Sequence, residues 1–405
     1  MLEPAAEMDR RAFLGTVVGA MGAVAAGPGL LGLLATCARA AEARPAARLA
    51  KEGLLVRSSR PLDLETPVAL LDGALTPNRH FFVRSHHDEP ALDAATWRLR
   101  VEGLVERPED LTLADLKALP RHEVTAVLQC SGNGRAFHRP RVPGVPWERG
   151  AVGNARWAGA RLRDVLARAG VQPGAAHVVL QGVDRPVLPT TPRFGRSLPL
   201  AKALHPDTLL AYEMNGEPLP MLHGHPVRVV APGWVGDDWV KWLGLVRVQA
   251  EPFDGFFYQT AYRYPRRPVS PGEAVPPEAM GPMDELVVKS LLTAPLAGAR
   301  VPRTTLPVRG AAWTGGEAVV TRVEVSLDDG HSWQNARLLG PARPYAWRRF
   351  ALDWVPPRGH PGGLLRLRAR ATDSAGRVQP TEAAPWNPSG YQWNTADVVE
   401  VHLDA

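Results

Sequence analysis

The sequence AVLQCSGNGRAFHR, residues Ala126–Arg139, joins a strand to a thiol and a tight turn. The apolar run Val124–Gln129 predicts a buried strand, and the Ser-Gly-Asn-Gly segment directly after Cys130 predicts a turn. A lone cysteine is more often a small buried side chain. Here the rigid strand end and the fixed positive charge of Arg135 favour a functional thiolate instead. Cys130 is therefore the centre of a candidate site.

Residues 1–40 predict an export signal. Arg10-Arg11 is followed by an apolar run to residue 35, and Ala38–Ala40 has the small-x-small form of a signal-peptidase site. The Gly-rich composition and Pro28 argue against a membrane anchor, and lipidation at Cys37 is a weaker alternative. The paired arginines predict the twin-arginine route, which exports folded proteins after cofactor insertion, and hence a periplasmic location.

The cysteine count and the charge limit what the exported chain can be. If the mature chain starts at Ala41, Cys130 is its only cysteine, so an intrachain disulfide is excluded. The net charge of +6 suits an anionic substrate or an acidic partner. The basic residues do not form runs interleaved with aromatic residues, which argues against nucleic-acid binding. After the signal, no apolar segment is long enough to predict a membrane span.

The composition changes once along the chain, at a proline-rich segment. Pro265–Pro282 contains six prolines and predicts a linker. Before it, strand and helix signals do not alternate strictly, which predicts an α+β domain rather than a doubly wound sheet. After it, short strands between Gly, Pro and Asp turns predict an all-β, immunoglobulin-like sandwich. We therefore expect a signal peptide over 1–40, a catalytic domain over 41–265, a linker over 266–282 and a sandwich over 283–405.

Local patterns in the first domain predict individual elements. The predicted helices are Leu113–Ala118 with Thr112 as its N-cap, Ala160–Ala169, and Leu200–Leu204. The predicted strands include His80–Val83, Trp97–Val101, Val124–Gln129, His177–Gln181 and Val227–Val230.

Four stretches of the chain carry a family resemblance. They are FFVRSH (Phe81–His86), LQCSGN (Leu128–Asn133), GAVGNARWAG (Gly150–Gly159) and LAYEMNGEPLP (Leu210–Pro220), the last running on to VKWL (Val240–Leu243). In this order, followed by a predicted β-sandwich, they make the sequence resemble the sulfite oxidase family of molybdenum enzymes. It is most similar to the bacterial exported sulfite dehydrogenases of that family.

The resemblance implies a cofactor and the residues that bind it. The implied fold is a sulfite-oxidase-type, mixed α/β molybdopterin-binding domain followed by a dimerisation domain. The implied cofactor is molybdenum held by a molybdopterin without an attached nucleotide and by the thiolate of Cys130, and soft sulfur donors suit such a metal. The residues that match the family's cofactor contacts are Phe82, Arg84, His86, Cys130, Ser131, Asp184, His223, Arg228 and Lys241.

The resemblance also implies a reaction, its catalytic residues and its partners. Arg84 and Arg135 match the family's substrate arginines, whose planar fork suits an oxyanion. Trp147 matches a pocket wall and Tyr262 an active-site tyrosine. The implied reaction is oxidation of sulfite to sulfate by oxygen-atom transfer. Because the chain has no Cys-x-x-Cys-His motif, we expect no haem in it and an external c-type cytochrome as electron acceptor. A homodimer is also implied.

Two departures from the family pattern keep alternatives open. Ser389 stands where animal members place a third substrate arginine, and Asp237-Asp238 stands where the family often has an arginine. The missing charge at Ser389 favours, as a second hypothesis, a sulfane-type dehydrogenase acting on protein-bound or other reduced sulfur. A methionine sulfoxide reductase lacks the second domain, and a non-enzymatic exported binding protein has no need of Cys130 or Arg84. These two alternatives rank below the dehydrogenases.

Overall fold

The computed structural model describes residues 50–186, 188 and 190–404. The predicted export signal lies outside the described residues. The described chain is mostly β-sheet, with four short α-helices and several single-turn 3₁₀ helices. No helix among these residues is both long and apolar enough to cross a membrane.

The region before residue 283 is built on two five-stranded sheets. Its strands are β1 (Leu55–Ser59), β2 (Leu62–Glu65), β3 (Leu99–Gly103), β4 (Glu109–Leu111), β5 (Arg121–Gln129), β6 (Val152–Arg161), β7 (His177–Gly182), β8 (Gly195–Pro199), β9 (Leu209–Met214), β10 (Glu217–Pro218), β11 (Arg228–Val230), β12 (Leu243–Gln249), β13 (Arg263–Pro265) and β14 (Met280–Pro282). One sheet has the order β10-β9-β6-β5, with β11 also paired to β9, and the other has the order β4-β3-β12-β7-β8. Only the β3–β12 pair of these two sheets is parallel.

The strand β5 fixes the position of the thiol. Every residue of β5, from Arg121 to Gln129, pairs with β6, so the predicted strand Val124–Gln129 is confirmed. Cys130 follows directly, and its backbone N–H donates to the carbonyl of Ala151 at 3.0 Å. The neighbouring β6 is almost wholly buried, because apolar side chains cover both faces of the sheet. The thiol thus follows the buried end of β5, where Ala126–Gln129 are all buried beside β6.

The four helices are short, and their ends follow local chemistry. They are α1 (Leu113–Ala118), α2 (Leu162–Ala169), α3 (Leu200–Ala203) and α4 (Phe256–Gln259). Thr112 caps α1 in a reciprocal capping box with Asp115, as the sequence predicts. The predicted start of α2 at Ala160 is wrong, because Ala160 and Arg161 still pair with β9. The predicted strand His80–Val83 is also wrong, since a 3₁₀ turn over Asn78–His80 occupies its start.

The region from residue 283 onward consists of two further sheets. Its strands are β15 (Lys289–Ala294), β16 (Arg300–Val301), β17 (Leu306–Trp313), β18 (Val320–Ser326), β19 (Gln334–Asn335), β20 (Arg337–Leu339), β21 (Arg348–Trp354), β22 (Gly363–Asp373) and β23 (Val399–Leu403). The sheets have the orders β15-β17-β21-β20 and β16-β23-β22-β18-β19. A separate apolar core, with Phe350 and Leu367 fully buried, lies in this region.

The two ends of the proline-rich segment lie side by side. The strands β13 and β14 at its two ends pair with each other antiparallel. The main apolar core then continues beyond it, because Trp313 and Tyr391 belong to the same buried cluster as Cys130. Arg149 forms an ion pair with Asp397 across the same junction. Side chains from the last third of the chain therefore reach the neighbourhood of the thiol.

Candidate active site

A cleft opens beside the end of β5, with about 640 Å³ of empty space that includes its opening to solvent. It is lined by aromatic, cationic and acidic side chains and by one thiol: Phe82, Arg84, His86, Leu128, Cys130, Asp184, Phe194, His223, Arg228, Gly236, Asp237, Trp239, Lys241, Trp242 and Tyr262. An apolar cleft with a few convergent polar groups is the usual form of a small-molecule site. Nine of the residues predicted from the sequence lie on its wall.

Cys130 presents the only thiol among the described residues to this cleft. Burial raises the pKa of the Cys130 thiol, against the opposing charges of Arg84 and Arg135. The predicted effect of Arg135 has the right sign, but burial outweighs it. No group of three or more His, Cys, Asp or Glu side chains within the described chain is arranged to hold a metal ion. The thiol of Cys130 is the soft donor that this cleft offers to a metal.

Tyr262 and His86 form a hydrogen-bonded pair at the cleft wall. The tyrosine hydroxyl lies 2.5 Å from His86 Nε2, and the imidazole stacks on Phe194 with ring centroids 4.0 Å apart. Burial, and then the charge of Arg84, lowers the pKa of His86 well below its usual value. Burial raises the pKa of Tyr262. At neutral pH the phenol therefore donates its hydrogen bond to a neutral imidazole. Tyr262 also adopts φ = 55°, which non-glycine residues seldom do and which is enriched at functional sites.

Arg84 supplies a permanent positive charge to the same wall. Its guanidinium donates to the carbonyl of Ser85 and lies 3.3 Å from Asp63 Oδ1. Burial opposes this charge, but the electrostatic effects of Tyr262 and Asp63 outweigh it and raise the pKa of Arg84. The guanidinium of Arg84 is thus held in place and positively charged, as the binding of a small oxyanion requires.

Two cationic side chains, Lys241 and Arg228, lie along the cleft beside His223, whose pKa burial lowers well below its usual value. Lys241 Nζ donates to Ser85 Oγ at 2.9 Å. Burial, and then the charge of Arg228, lowers the pKa of Lys241 to about 7. Burial lowers the pKa of Arg228 to about 9. Buried positive charges that repel one another are costly unless an anion joins them, so this cluster is suited to a bound anionic group.

Comparison with known proteins identifies the family to which the chain belongs. The Oxidoreductase molybdopterin binding domain matches residues 86–257, and the Mo-co oxidoreductase dimerisation domain matches residues 281–403. The chain is 44% identical to sulfite oxidase of Gallus gallus over 352 residues, covering 84% of this chain and 75% of that protein. It is 42% identical to mitochondrial sulfite oxidase of Homo sapiens, covering 86% of this chain and 66% of that protein. The chain belongs to the sulfite oxidase family.

A solved structure agrees with the family assignment. The crystal structure of the sulfane dehydrogenase SoxCD from Paracoccus pantotrophus superposes with a TM-score of 0.72 and 30% sequence identity. The match covers 87% of each chain. A molybdopterin-binding fold followed by a dimerisation region is therefore shown for this chain, and it is an oxidoreductase of the molybdenum type.

The side chains of the cleft fit the family's molybdenum cofactor. A molybdopterin carries a phosphate, and Arg228 and Lys241 provide positive charge for it, with His223 beside them as a hydrogen-bonding group. Cys130 provides the soft ligand that the metal requires. Asp184 also lines the cleft, and burial raises the pKa of its carboxyl. A carboxyl in this position is suited to hydrogen bonding with a pterin ring.

Arg135 is not on the wall of the cleft, in contrast to the prediction from the sequence. Its Nε donates to the carbonyl of Ser389 at 2.9 Å and its Nη1 to the carbonyl of Val145 at 3.0 Å. Its guanidinium also lies 5.2 Å from the ring centroid of Tyr391. Two backbone acceptors and a tyrosine ring from another part of the chain therefore determine its direction.

Two other predicted residues stand one layer behind the cleft. Trp147 is fully buried and meets the ring of Phe82 edge to face, with centroids 6.4 Å apart. Ser131 donates its hydroxyl to the carboxylate of Asp237, which does line the cleft. Both residues support groups on the wall instead of forming it.

Several residues that shape the site carry no local sequence signal. Lys51 places Nζ 2.6 Å from Nε2 of His223, and burial followed by the charge of Lys241 lowers the pKa of Lys51 to about 7. Arg196 on β8 pairs with both residues of the Asp237-Asp238 motif. In the sequence, the acidic pair stands out as a departure from the family pattern. Nothing in the sequence indicates that Arg196, about forty residues earlier, is its cationic partner.

Cofactor-free protein is expected to become more stable as the pH rises from about 7 to about 10. Lys51 and Lys241 each have a pKa of about 7 in the folded chain, against an ordinary value of 10.5. Between these values the unfolded chain binds more protons, so raising the pH favours the folded state. Asp238, with its pKa raised by burial to about 7, acts in the opposite direction, but only below this window.

Urea unfolding of protein made in a host without molybdopterin measures this effect. A variant carrying Lys51→Met and Lys241→Met should show a flatter profile over the same range. If the free energy of unfolding of the parental protein is constant between pH 7 and about pH 10, the lowered pKa values of Lys51 and Lys241 are contradicted.

Proposed function

We propose that this protein oxidises sulfite to sulfate with a molybdenum cofactor bound in the cleft. The observation that carries the proposal is the convergence of Cys130, Arg84 and Tyr262 on one wall, beside a cationic cluster. The sulfite oxidases that match the chain at 42% and 44% identity support it.

The side chains of the cleft have separate tasks in this reaction. Arg84 binds the oxyanion through its fork of N–H donors. The Tyr262 hydroxyl donates to His86 and so holds a proton close to the reacting atoms. The aromatic wall of Phe82, Phe194 and Trp239 limits the access of water. The cofactor, when bound, supplies the two-electron redox chemistry, and the protein supplies binding and orientation.

The finer architecture is also part of the proposal. We assign an α+β class to the catalytic domain, over 41–265, and an immunoglobulin-like sandwich to 283–405, with 266–282 between them. Two sheets of four and five strands around their own apolar core support the sandwich. The match to a dimerisation domain supports a homodimer formed through this region.

Location and electron acceptor follow from the sequence. The paired arginines at Arg10-Arg11 and the small residues at Ala38–Ala40 support export to the periplasm by the twin-arginine route. There, a soluble c-type cytochrome is the proposed acceptor of the two electrons. The net charge of +6 suits an acidic docking surface on such a partner.

A second candidate function is the oxidation of sulfane sulfur. The likeness to the sulfane dehydrogenase SoxCD favours it. So does Ser389, which has no charge at the position where animal members of the family place a third substrate arginine. A substrate with less negative charge than sulfite would suit such a pocket.

Sulfite-dependent reduction of cytochrome c tests the proposal, with molybdenum assayed on the same exported protein. We expect about one metal per chain together with fast turnover. Metal without turnover would shift the assignment to sulfane sulfur. Fully matured protein without metal would contradict both candidate functions.

A further inference from the structure

Arg196 on β8 is a buried cation that lies one layer behind the cleft. Its side chain is fully buried and is not part of the cleft wall. Buried charges are rare in proteins and need several partners to compensate for the loss of water. Burial opposes the charge of Arg196, but Asp238 and Asp237 outweigh this effect and raise its pKa. The guanidinium is therefore a permanently charged group, and its partners lie in two segments that carry cleft residues.

The first of these segments is the 3₁₀ turn that contains Asp237 and Asp238. Arg196 Nε donates to Asp238 Oδ1 at 2.8 Å, and Nη2 lies 3.3 Å from Oδ2 of Asp237. Asp237 in turn accepts the hydroxyl of Ser131, the residue that follows Cys130. Burial raises the pKa of Asp237, but a carboxyl accepts this hydrogen bond whether or not it is ionised. One side chain therefore joins Arg196 to the turn that holds the thiol.

The second segment carries the phenol of the cleft wall. Arg196 Nη1 donates to the carbonyl of Phe257 in α4. The guanidinium lies 5.1 Å from the ring centroid of Tyr258 and 5.5 Å from that of Tyr262, both within the range of a cation–π contact. Tyr262 has φ = 55°, a conformation that persists only where the surrounding structure enforces it. Arg196 is one of the groups that hold this segment in place.

The two cleft groups that Arg196 links come from distant parts of the chain. Cys130 and Tyr262 both line the cleft but lie far apart in the sequence, so tertiary contacts fix how the phenol lies relative to the thiol. A displacement of about 1 Å between reacting groups can cost about 100-fold in rate. A second connection runs through Tyr391, which stacks on Tyr262. The residue after Tyr391 donates its N–H to the carbonyl of Ser131. Loss of the Arg196 contacts should therefore weaken the arrangement without abolishing it.

We propose that Arg196 is a positioning residue of the active site, which fixes the Tyr262 phenol relative to the Cys130 thiol. It does so through the geometry of its planar fork, which reaches two carboxyl groups and a backbone carbonyl at once. A lysine would keep the positive charge but could not span these acceptors. The inference rests on the proposed function in taking Tyr262 and Cys130 as parts of one reacting site.

Steady-state oxidation of sulfite by molybdenum-loaded Arg196→Lys, with rates normalised to metal content, tests the proposal. We expect kcat to fall about tenfold, because the phenol is displaced, and KM for sulfite to change by less than about twofold. KM should be kept because Arg84, the proposed oxyanion-binding residue, is held by Ser85 and Asp63 and not by Arg196. A parental kcat, or a loss of kcat/KM that comes entirely from KM, would overturn the proposal. If Arg196→Lys does not fold, Ser131→Ala breaks the same connection at its other end and should give the same separation of kcat from KM.

Arg370→Lys is the matched control for the loss of an arginine fork. Arg370 donates from Nε to Glu324 Oε2 at 2.9 Å and lies 4.2 Å from the ring centroid of Trp333, in the region after residue 283. It therefore combines an acid and an aromatic ring, as Arg196 does, without lining the cleft. The control should keep the parental kcat and KM. Equal loss of kcat in the two lysine variants would overturn the proposal.

Alkylation of Cys130 by iodoacetamide in cofactor-free protein gives a readout that does not need turnover. Because its turn is less constrained, the thiol of Arg196→Lys should react about fivefold faster than the parental thiol, and that of Arg370→Lys at the parental rate. Mass spectrometry of the peptide that contains Cys130 measures these rates. An unchanged rate in Arg196→Lys would overturn the proposal. Failure of the parental enzyme to oxidise sulfite would instead overturn the proposed function, and the alkylation result would still be readable.

Discussion

A Cys130→Ser variant is expected to lose at least about three orders of magnitude in sulfite turnover. The hydroxyl of serine is a poor donor for a metal that prefers soft sulfur ligands. Within the described chain no other thiol and no cluster of His, Cys, Asp or Glu is placed to take over. The substitution is nearly isosteric, and the backbone bond from residue 130 to Ala151 does not depend on the side chain. The fold should therefore persist while the chemistry is lost.

Single-turnover reduction by sulfite, with molybdenum content and near-ultraviolet circular dichroism on the same sample, measures this loss. Ala151→Ser is a suitable control, because it adds a buried hydroxyl beside the same turn without changing the thiol. It should cost about 1–3 kcal/mol of stability at most and retain turnover. A Cys130→Ser protein that oxidises sulfite at the parental rate would remove the thiol from the mechanism.

The centre of the site could be predicted from the sequence because its geometry is local. A strand, a thiol and a four-residue turn are contiguous, so the pattern around Cys130 fixes the direction of the sulfur. His223, Arg228 and Lys241 lie within one short stretch, and the 3₁₀ turn Met221–His223, β11 and the loop after β11 bring them to the same cleft. For these three residues the prediction came from the family resemblance of the stretch, and their closeness along the chain explains why they line one cleft.

The direction of Arg135 could not be predicted in this way. Its backbone follows the predicted turn, but its side chain is fixed by Ser389 and Tyr391, more than 250 residues later in the chain. The packing of the C-terminal region against the first domain decides where the guanidinium points. Tyr391 also stacks on Tyr262, with centroids 5.5 Å apart. The match to a family motif therefore predicts where the backbone of Arg135 lies but not where its side chain points.

The Asp237-Asp238 pair illustrates the same limit. From the sequence, two acids in place of an arginine suggest a weakened pterin contact. In the structure Arg196 reaches them from β8 and forms ion pairs with both acids. Sequence position alone could not show this pairing, because the two segments meet only through tertiary packing.

Lys241→Met is expected to have opposite effects on the cofactor-free and the loaded protein. Lys241 donates to Ser85 Oγ and to the carbonyl of Leu222, and its Nζ lies 4.1 Å from the ring centroid of Trp242. In the cofactor-free chain its charge is disfavoured by burial and by Arg228, so its removal should raise the free energy of unfolding by about 1 kcal/mol or more. Loss of a charge-assisted contact to the phosphate should lower cofactor affinity by about 10- to 100-fold.

Lys202→Met separates a specific contact from the general effect of removing a lysine. Burial lowers the pKa of Lys202 to about 8. Its Nζ donates to the carbonyl of Pro232 at 2.8 Å and lies 5.3 Å from the ring centroid of Trp234, but Lys202 does not line the cleft. Denaturation midpoints and molybdopterin content per chain should show that both variants fold and that only Lys241→Met loses cofactor. Lys202 does not line the cleft, so its removal should leave cofactor binding unchanged. Equal cofactor loss in the two variants would mean that Lys241 affects cofactor binding through the stability of the fold and not through a contact with the phosphate.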